Sequence, residues 1–130
     1  MKLPESVKKL IDEPNIAFFA TLMKDGSPQV TPVWVDREND FILVNTAEGR
    51  IKANNVKRDP RVAISIADRN NPYSMSTIRG KVVDITEEGA DSHIDKMAKK
   101  YTGQDRYAWK KQTEKRIIIK IEASKVYPKR

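Results

Sequence analysis

Apolar positions in this chain recur at two spacings, and the switches between them mark its elements. Leu3, Val7, Leu10 and Ile11 stand at helical intervals. Pro4 suits a first turn and Pro14 ends the pattern, so a helix is expected over residues 3–11. Residues 16–23 are apolar on both faces and predict a well-buried strand. Lys24-Asp25-Gly26-Ser27 holds the Asp-Gly dipeptide of a hairpin turn. Residues 29–36 then read as the returning strand, 37–39 as a second turn and 41–46 as a third strand, a three-stranded antiparallel meander.

A short helix is expected to start near Gly49 and Arg50 and to stop at Asp59-Pro60. A fourth strand follows over 61–68 and a long fifth over 73–85, in which Gly80 marks a bulge or bend. Thr86 reads as the N-cap of a helix over 87–101, with Glu87 and Glu88 in its first turn. Ala90, Ile94, Met97, Ala98 and Tyr101 form its apolar stripe, and Gly103 closes it. Residues 105–112 suggest another short helical segment. Residues 116–123 turn Ile117, Ile119 and Ile121 inward against Arg116, Lys120 and Glu122, a sixth strand, and the tail from Pro128 is expected to fray. Six mostly antiparallel strands with helices inserted at two places predict a mainly β fold, a small barrel rather than a sandwich, since closure removes exposed edges. One domain over 1–130 is expected from the length.

Composition narrows the chemistry. The hydrophobic share of 38% is lean and the charged share of 33% high, in keeping with a small domain whose core a partner subunit completes. Zero cysteines exclude disulfides, thiolate metal sites and a cysteine nucleophile. No apolar stretch reaches the roughly 18–20 residues of a membrane span, and the start of the chain lacks a secretory layout, so a cytoplasmic protein is expected. The net charge of +7 favours an anionic partner. The cations are dispersed, without a nucleic-acid-binding module among them, and nucleic acid is not the expected partner. His93 is the only histidine. With no cysteine and no evident carboxylate relay, it reads as a surface or half-buried residue, and zinc sites and Ser-His-Asp triads fall away. If the protein is an enzyme, a cofactor brings the reactivity.

Two segments carry the candidate chemistry. Residues 45–61 lie between two apolar runs, so a strand delivers Asn45 and Thr46 to a turn and a helix N-terminus follows. The Thr46 hydroxyl, backbone N–H groups, Arg50 and Lys52 then converge on one small volume, as in a phosphate site. An ordinary helix with surface cations accounts for the same residues equally well. Lys57, Arg58 and Arg61 read as solvated or paired with Asp59. In the second segment, residues 29–34, Pro32 removes a ladder N–H and belongs on an edge strand. Backbone groups of Thr31 and Val33 are then free to meet a flat heterocycle, with Trp34 lining the pocket. Taken alone, that segment fits an edge strand with a core tryptophan. Tyr73, Tyr107 and Trp109 are possible pocket walls, better accounted for as packing.

The blocks 26–34, 43–62, 71–73 and 78–94 occur in an order that resembles the flavin-binding split-barrel family named after pyridoxamine 5'-phosphate oxidase. Within it, the chain is most similar to the branch of coenzyme F-420-dependent oxidoreductases. The resemblance implies a six-stranded antiparallel FMN-binding split barrel that forms a homodimer, with two cofactor sites along the subunit interface. It implies that Thr46, Arg50 and Lys52 grip the cofactor's phosphate and that Thr31, Pro32, Val33 and Trp34 run beside its tricyclic ring. Partner residues near 70–73 or 107–109 would close the pocket. The chain lacks the C-terminal Arg-x-His-type segment of true pyridoxamine phosphate oxidases, so oxidation of that substrate is not expected. The implied activity is hydride transfer between F-420 and a small organic acceptor. The alternatives are an FMN-dependent reductase or oxidase and a non-catalytic flavin binder.

Overall fold

Pro4 opens the first helix: its carbonyl accepts the N–H groups of Val7 and Lys8 at 3.0 and 3.1 Å. In this computed structural model, which describes residues 1–109 and 113–128, helix α1 spans Glu5–Asp12 and buries Val7, Leu10 and Ile11. Strands β1 (Ala17–Leu22) and β2 (Pro28–Val33) form the expected hairpin. Gly26 takes φ +86° in its turn, and the Asp25 carboxylate accepts the Ser27 N–H at 3.0 Å.

The predicted strand over 29–36 is in fact two. The chain leaves β2 at Trp34 and Val35 and begins β3 (Asp36–Glu38), which pairs with β4 (Phe41–Ala47) through a turn where Asn39 has φ 56°. Helix α2 (Ile51–Arg58), β5 (Arg61–Asp68), β6 (Asn71–Thr86), α3 (Ala90–Thr102) and β7 (Arg116–Tyr127) complete the chain. The sheet is antiparallel throughout and has seven strands, not six, in the order β2-β1-β5-β6-β7-β4-β3. The expected meander is therefore two hairpins at opposite ends of the sheet.

Those ends must come together. Only Trp34 and Val35 separate β2 from β3, and three Cα steps span at most about 11 Å. The sheet thus curls until its outer strands adjoin, yet β2 and β3 are not neighbours in the hydrogen-bonded order. This is the split of an antiparallel split barrel. Inside it Phe19, Ile42, Val44, Ile64, Ile66, Ile78, Ile117, Ile119 and Ile121 form the core, with α1 packed against them. The alternation read from residues 117–121 holds, with Ile118 only half-buried.

Three further expectations are corrected. β1 is not buried on both faces, because Phe18 is 50% exposed on the outer surface of the sheet. Thr86 does not cap α3. It is still in the β6–β7 ladder opposite Ile118, so the chain turns over 87–89 and Gly89, at φ 75°, precedes the helix. Residues 104–109 are not helical, and the rest of the segment expected to be helical, 110–112, lies outside the described residues. The bulge at Gly80 is present, as a register shift between Arg79 and Gly80. No helix among the described residues is long and apolar enough to cross a membrane.

Candidate functional site

β4 ends by bringing Asn45, Thr46 and Ala47 to the mouth of the split, where Gly49 takes φ 87° and α2 begins. Arg50 holds the N-cap position without a side-chain cap, and the first turn of α2 has no acidic residue. Its N-terminal N–H groups therefore keep their partial positive charge. Ala53, Asn55 and Val56 are its buried residues, while Ile51 is exposed.

Three cations converge there. Arg50 donates to Glu114 at 3.0 Å, and the other Glu114 oxygen accepts Arg116 at 3.0 Å. Arg116 is only 4% exposed, and its Nε donates to the Asn45 side-chain carbonyl at 2.9 Å. Lys52 has no carboxylate partner among the described residues. Burial, reinforced by the nearby charges of Arg50 and Arg116, holds its ammonium below the usual lysine range. One carboxylate thus faces three cations, which leaves an excess of positive charge beside an uncapped helix. The other nearby cations are engaged elsewhere: Arg61 with Asp59, Lys57 with Glu48, and Arg58 with Leu22 and Asn55.

A cavity of about 330 Å³ opens onto this charge. Pro32, Val33 and Trp34 form one wall and Thr46, Arg50 and Lys52 the other, joined by Ile16, Asn45, Ile94, Tyr107, Trp109 and Arg116. Six of the seven residues selected from sequence therefore meet around one space. Thr31 does not line it: the lining stretch begins one residue later, at Pro32. Its Oγ1 is nevertheless buried without a hydrogen-bond partner among the described residues. Pro32 lies on an outer strand, as a proline requires. Trp34 stacks on Tyr101, with ring centroids 5.3 Å apart and planes 9° from parallel, and meets Tyr107 edge-on.

Sequence reasoning missed Arg116, Asn45 and the part played by His93. Arg116 looked like an outward strand residue, and only its pairing opposite Ala47 turns it into the pocket. Tyr107 and Trp109 line the cavity of their own chain. Tyr73, 93% exposed, is not among its lining residues. His93 does have a carboxylate partner: Asp36 lies 3.0 Å from Nε2, and Asn45 lies 3.1 Å from Nδ1. Burial works to raise the pKa of Asp36, but the hydrogen bonds from His93 and the Arg37 backbone, with Lys96 nearby, bring it down to about 2. A second, larger groove of about 940 Å³ lies between Met1 and the end of β7, lined by Arg79, Lys125 and Tyr127 among others. It has none of the residues selected from sequence.

Comparison with known proteins agrees with this architecture. The chain resembles the solved structure of an F420 reductase, at 28% identity over 95% of this chain and 98% of the other, with a TM-score of 0.83. It shares its fold with the conserved hypothetical protein Rv2991 from Mycobacterium tuberculosis, at 22% identity, 97% and 83% coverage and a TM-score of 0.73. HupZ of Group A Streptococcus has the same fold, at 20% identity, 96% and 92% coverage and a TM-score of 0.67. The family model described as pyridoxamine 5'-phosphate oxidase matches residues 3–130. With that match running over nearly its whole length, the chain belongs to the pyridoxamine 5'-phosphate oxidase family.

Proposed function

We propose that this protein is an oxidoreductase that binds the deazaflavin F-420 in the cavity between β2 and α2 and uses it to reduce a small unsaturated organic acceptor. The observation that carries the reading is Lys52: a half-buried ammonium without a counter-charge among the described residues, beside two arginines and an uncapped helix N-terminus. Such an arrangement is unfavourable until an anion arrives. A phosphate-bearing group fits it, held by the Thr46 hydroxyl, Lys52, Arg50 and the first N–H groups of α2. The edge of β2 from Thr31 to Val33, with Trp34, then borders a flat ring system.

The coenzyme would supply the hydride, since among the described residues no histidine, carboxylate or cysteine lines this cavity. The chain's own residues bind, orient and exclude water: the cations fix one end, and Trp34, Tyr107 and Trp109 wall the other. The F420 reductase at 28% identity supports F-420 over FMN, and the +7 charge suits its anionic tail. FMN is the alternative, because the phosphate and ring contacts would be shared. A homodimer belongs to the same proposal. Ile16, Phe18 and Val30 are exposed apolar residues next to Pro32, so a second copy covering that face would also roof the cavity. A cytoplasmic location goes with it, as the fold needs no disulfide.

The test is a parallel titration with FMN and F-420, following tryptophan fluorescence, and then turnover of reduced F-420 with candidate acceptors. Micromolar or tighter F-420 binding with turnover is the expected result. Binding of FMN alone moves the protein to the flavin alternative, and tight binding without turnover makes it a carrier. Binding of neither overturns the reading.

A further inference from the structure

The Asn45 amide can sit in only one orientation. Its Nδ2 donates to the Ala90 carbonyl at 2.9 Å, an acceptor alone, and its Oδ1 accepts from Arg116 Nε at 2.9 Å, a donor alone. The second Nδ2 hydrogen then points at His93 Nδ1, 3.1 Å away. That nitrogen must accept, which puts the imidazole proton on Nε2, where it donates to Asp36 at 3.0 Å. Side-chain exposure along this chain is low, 9% at His93 and 14% at Asp36, so water competes poorly for these bonds.

We infer that Asp36, His93 and Asn45 form a positioning relay that sets the orientation of the Arg116 guanidinium in the cavity, and that Arg116 is a further anion-binding residue of the site. This rests on the proposed coenzyme site. Arg116 is anchored on two sides, by Asn45 through Nε and by Glu114 through Nη1, and its guanidinium lies over the Tyr107 ring at 5.1 Å. Its Nη2 group has no hydrogen bond to the described residues, those of this guanidinium being made by Nε and Nη1, and Arg116 lines the cavity. A guanidinium fixed at Nε presents its remaining donors in one plane. Freed at Nε it turns about its last bond, and an anion must then order it on binding. His93 acts through Asn45: the charged groups that face it are Asp36 on β3 and Arg116 beyond Asn45 on β7, with Lys96 on α3 reaching Asp36 at 3.5 Å.

The replacements that separate positioning from packing are His93→Phe, which fills the space without hydrogen bonds, and His93→Gln. Glutamine has an N–H for Asp36 and a carbonyl oxygen for Asn45. In nitrogen-15 spectra of the whole protein, His93 is expected as the Nε2–H tautomer and the Arg116 Nε–H as slowly exchanging. That protection should vanish in His93→Phe and return in His93→Gln. Affinity for F-420 and FMN should fall about three- to tenfold in His93→Phe, the effect of one hydrogen bond, and recover to within about twofold in His93→Gln. An Nδ1–H tautomer, or an Arg116 Nε–H unmoved by His93→Phe, overturns the relay. Unchanged affinity in His93→Phe overturns Arg116 as its target. If wild-type protein binds neither coenzyme, the coenzyme reading fails, and the spectra alone still decide the relay.

Discussion

The backbone N–H of Val35 donates to the Tyr101 hydroxyl at 3.0 Å, at the point where the two ends of the sheet meet. That hydroxyl donates onward to the Asn15 carbonyl at 2.7 Å. One phenol from α3 thus satisfies two buried backbone groups at the seam, and Lys100 binds the Val35 carbonyl beside it. Removing the hydroxyl leaves both groups short of a partner. Tyr101→Phe is expected to lower unfolding free energy by about 1–3 kcal/mol, measured by urea denaturation at neutral pH. Burial, against the opposing hydrogen bond from Val35, pushes the Tyr101 pKa up to about 12. The folded form therefore keeps a proton that the unfolded chain releases near pH 10. Wild type should lose stability as pH rises from about 10 to 12, relative to Tyr101→Phe. Parallel pH profiles of the two proteins would contradict this.

Glu114 holds Arg50 on one oxygen and the buried Arg116 on the other. With the carboxylate gone, Arg116 is left without a counter-charge at a site water barely reaches. Glu114→Gln is expected to destabilise the protein by about 3 kcal/mol in phosphate-free buffer, the usual scale for breaking a buried pair. Excess inorganic phosphate should recover part of the lost melting temperature, because it binds only the folded form. A melting temperature equal to wild type, or one indifferent to phosphate, contradicts the charge arrangement described here.

Where β6 pairs with β7 at the bulge, a Cβ on Gly80 would lie 2.3 Å from the Glu122 carbonyl oxygen and 3.2 Å from the Ala123 Cα. Both are backbone atoms, so no side chain can turn aside. Gly80→Ala should force the bulge open and lower unfolding free energy by about 2 kcal/mol or more. Chemical denaturation checks it: an unchanged midpoint would mean that the strands separate there at little cost.

Local signals were the ones legible in the sequence. The helix stripe from Ala90 to Tyr101, the Asp-Gly hairpin, the inward isoleucines of β7 and the Gly80 bulge each depend on residues close in the chain, and each is present. The break at Trp34 and Val35 was not legible, since nothing in residues 29–36 records that β3 pairs with β4 at the far end of the sheet. The mouth of the cavity was half legible. Thr46, Arg50 and Lys52 sit on one strand–helix junction, and Pro32 to Trp34 on one edge. Arg116 and His93 enter through long-range register, Arg116 opposite Ala47 and His93 against Asp36. A single sequence holds no trace of either pairing.

Lys52 separates the fold from its ligand more cleanly than any other residue of the cavity. Its ammonium has no bond to lose among the described residues and is repelled by Arg50 and Arg116. Lys52→Ala should leave the melting temperature of the free protein unchanged or slightly raised. Affinity for the coenzyme should fall about 10- to 100-fold, the 1.5–3 kcal/mol of a charge-assisted hydrogen bond. Calorimetric titration of both proteins with F-420 and FMN reads the second effect and thermal denaturation the first. A ligand bound equally well by both proteins would remove Lys52 from the site, whereas a destabilised free protein would mean that it serves the fold instead.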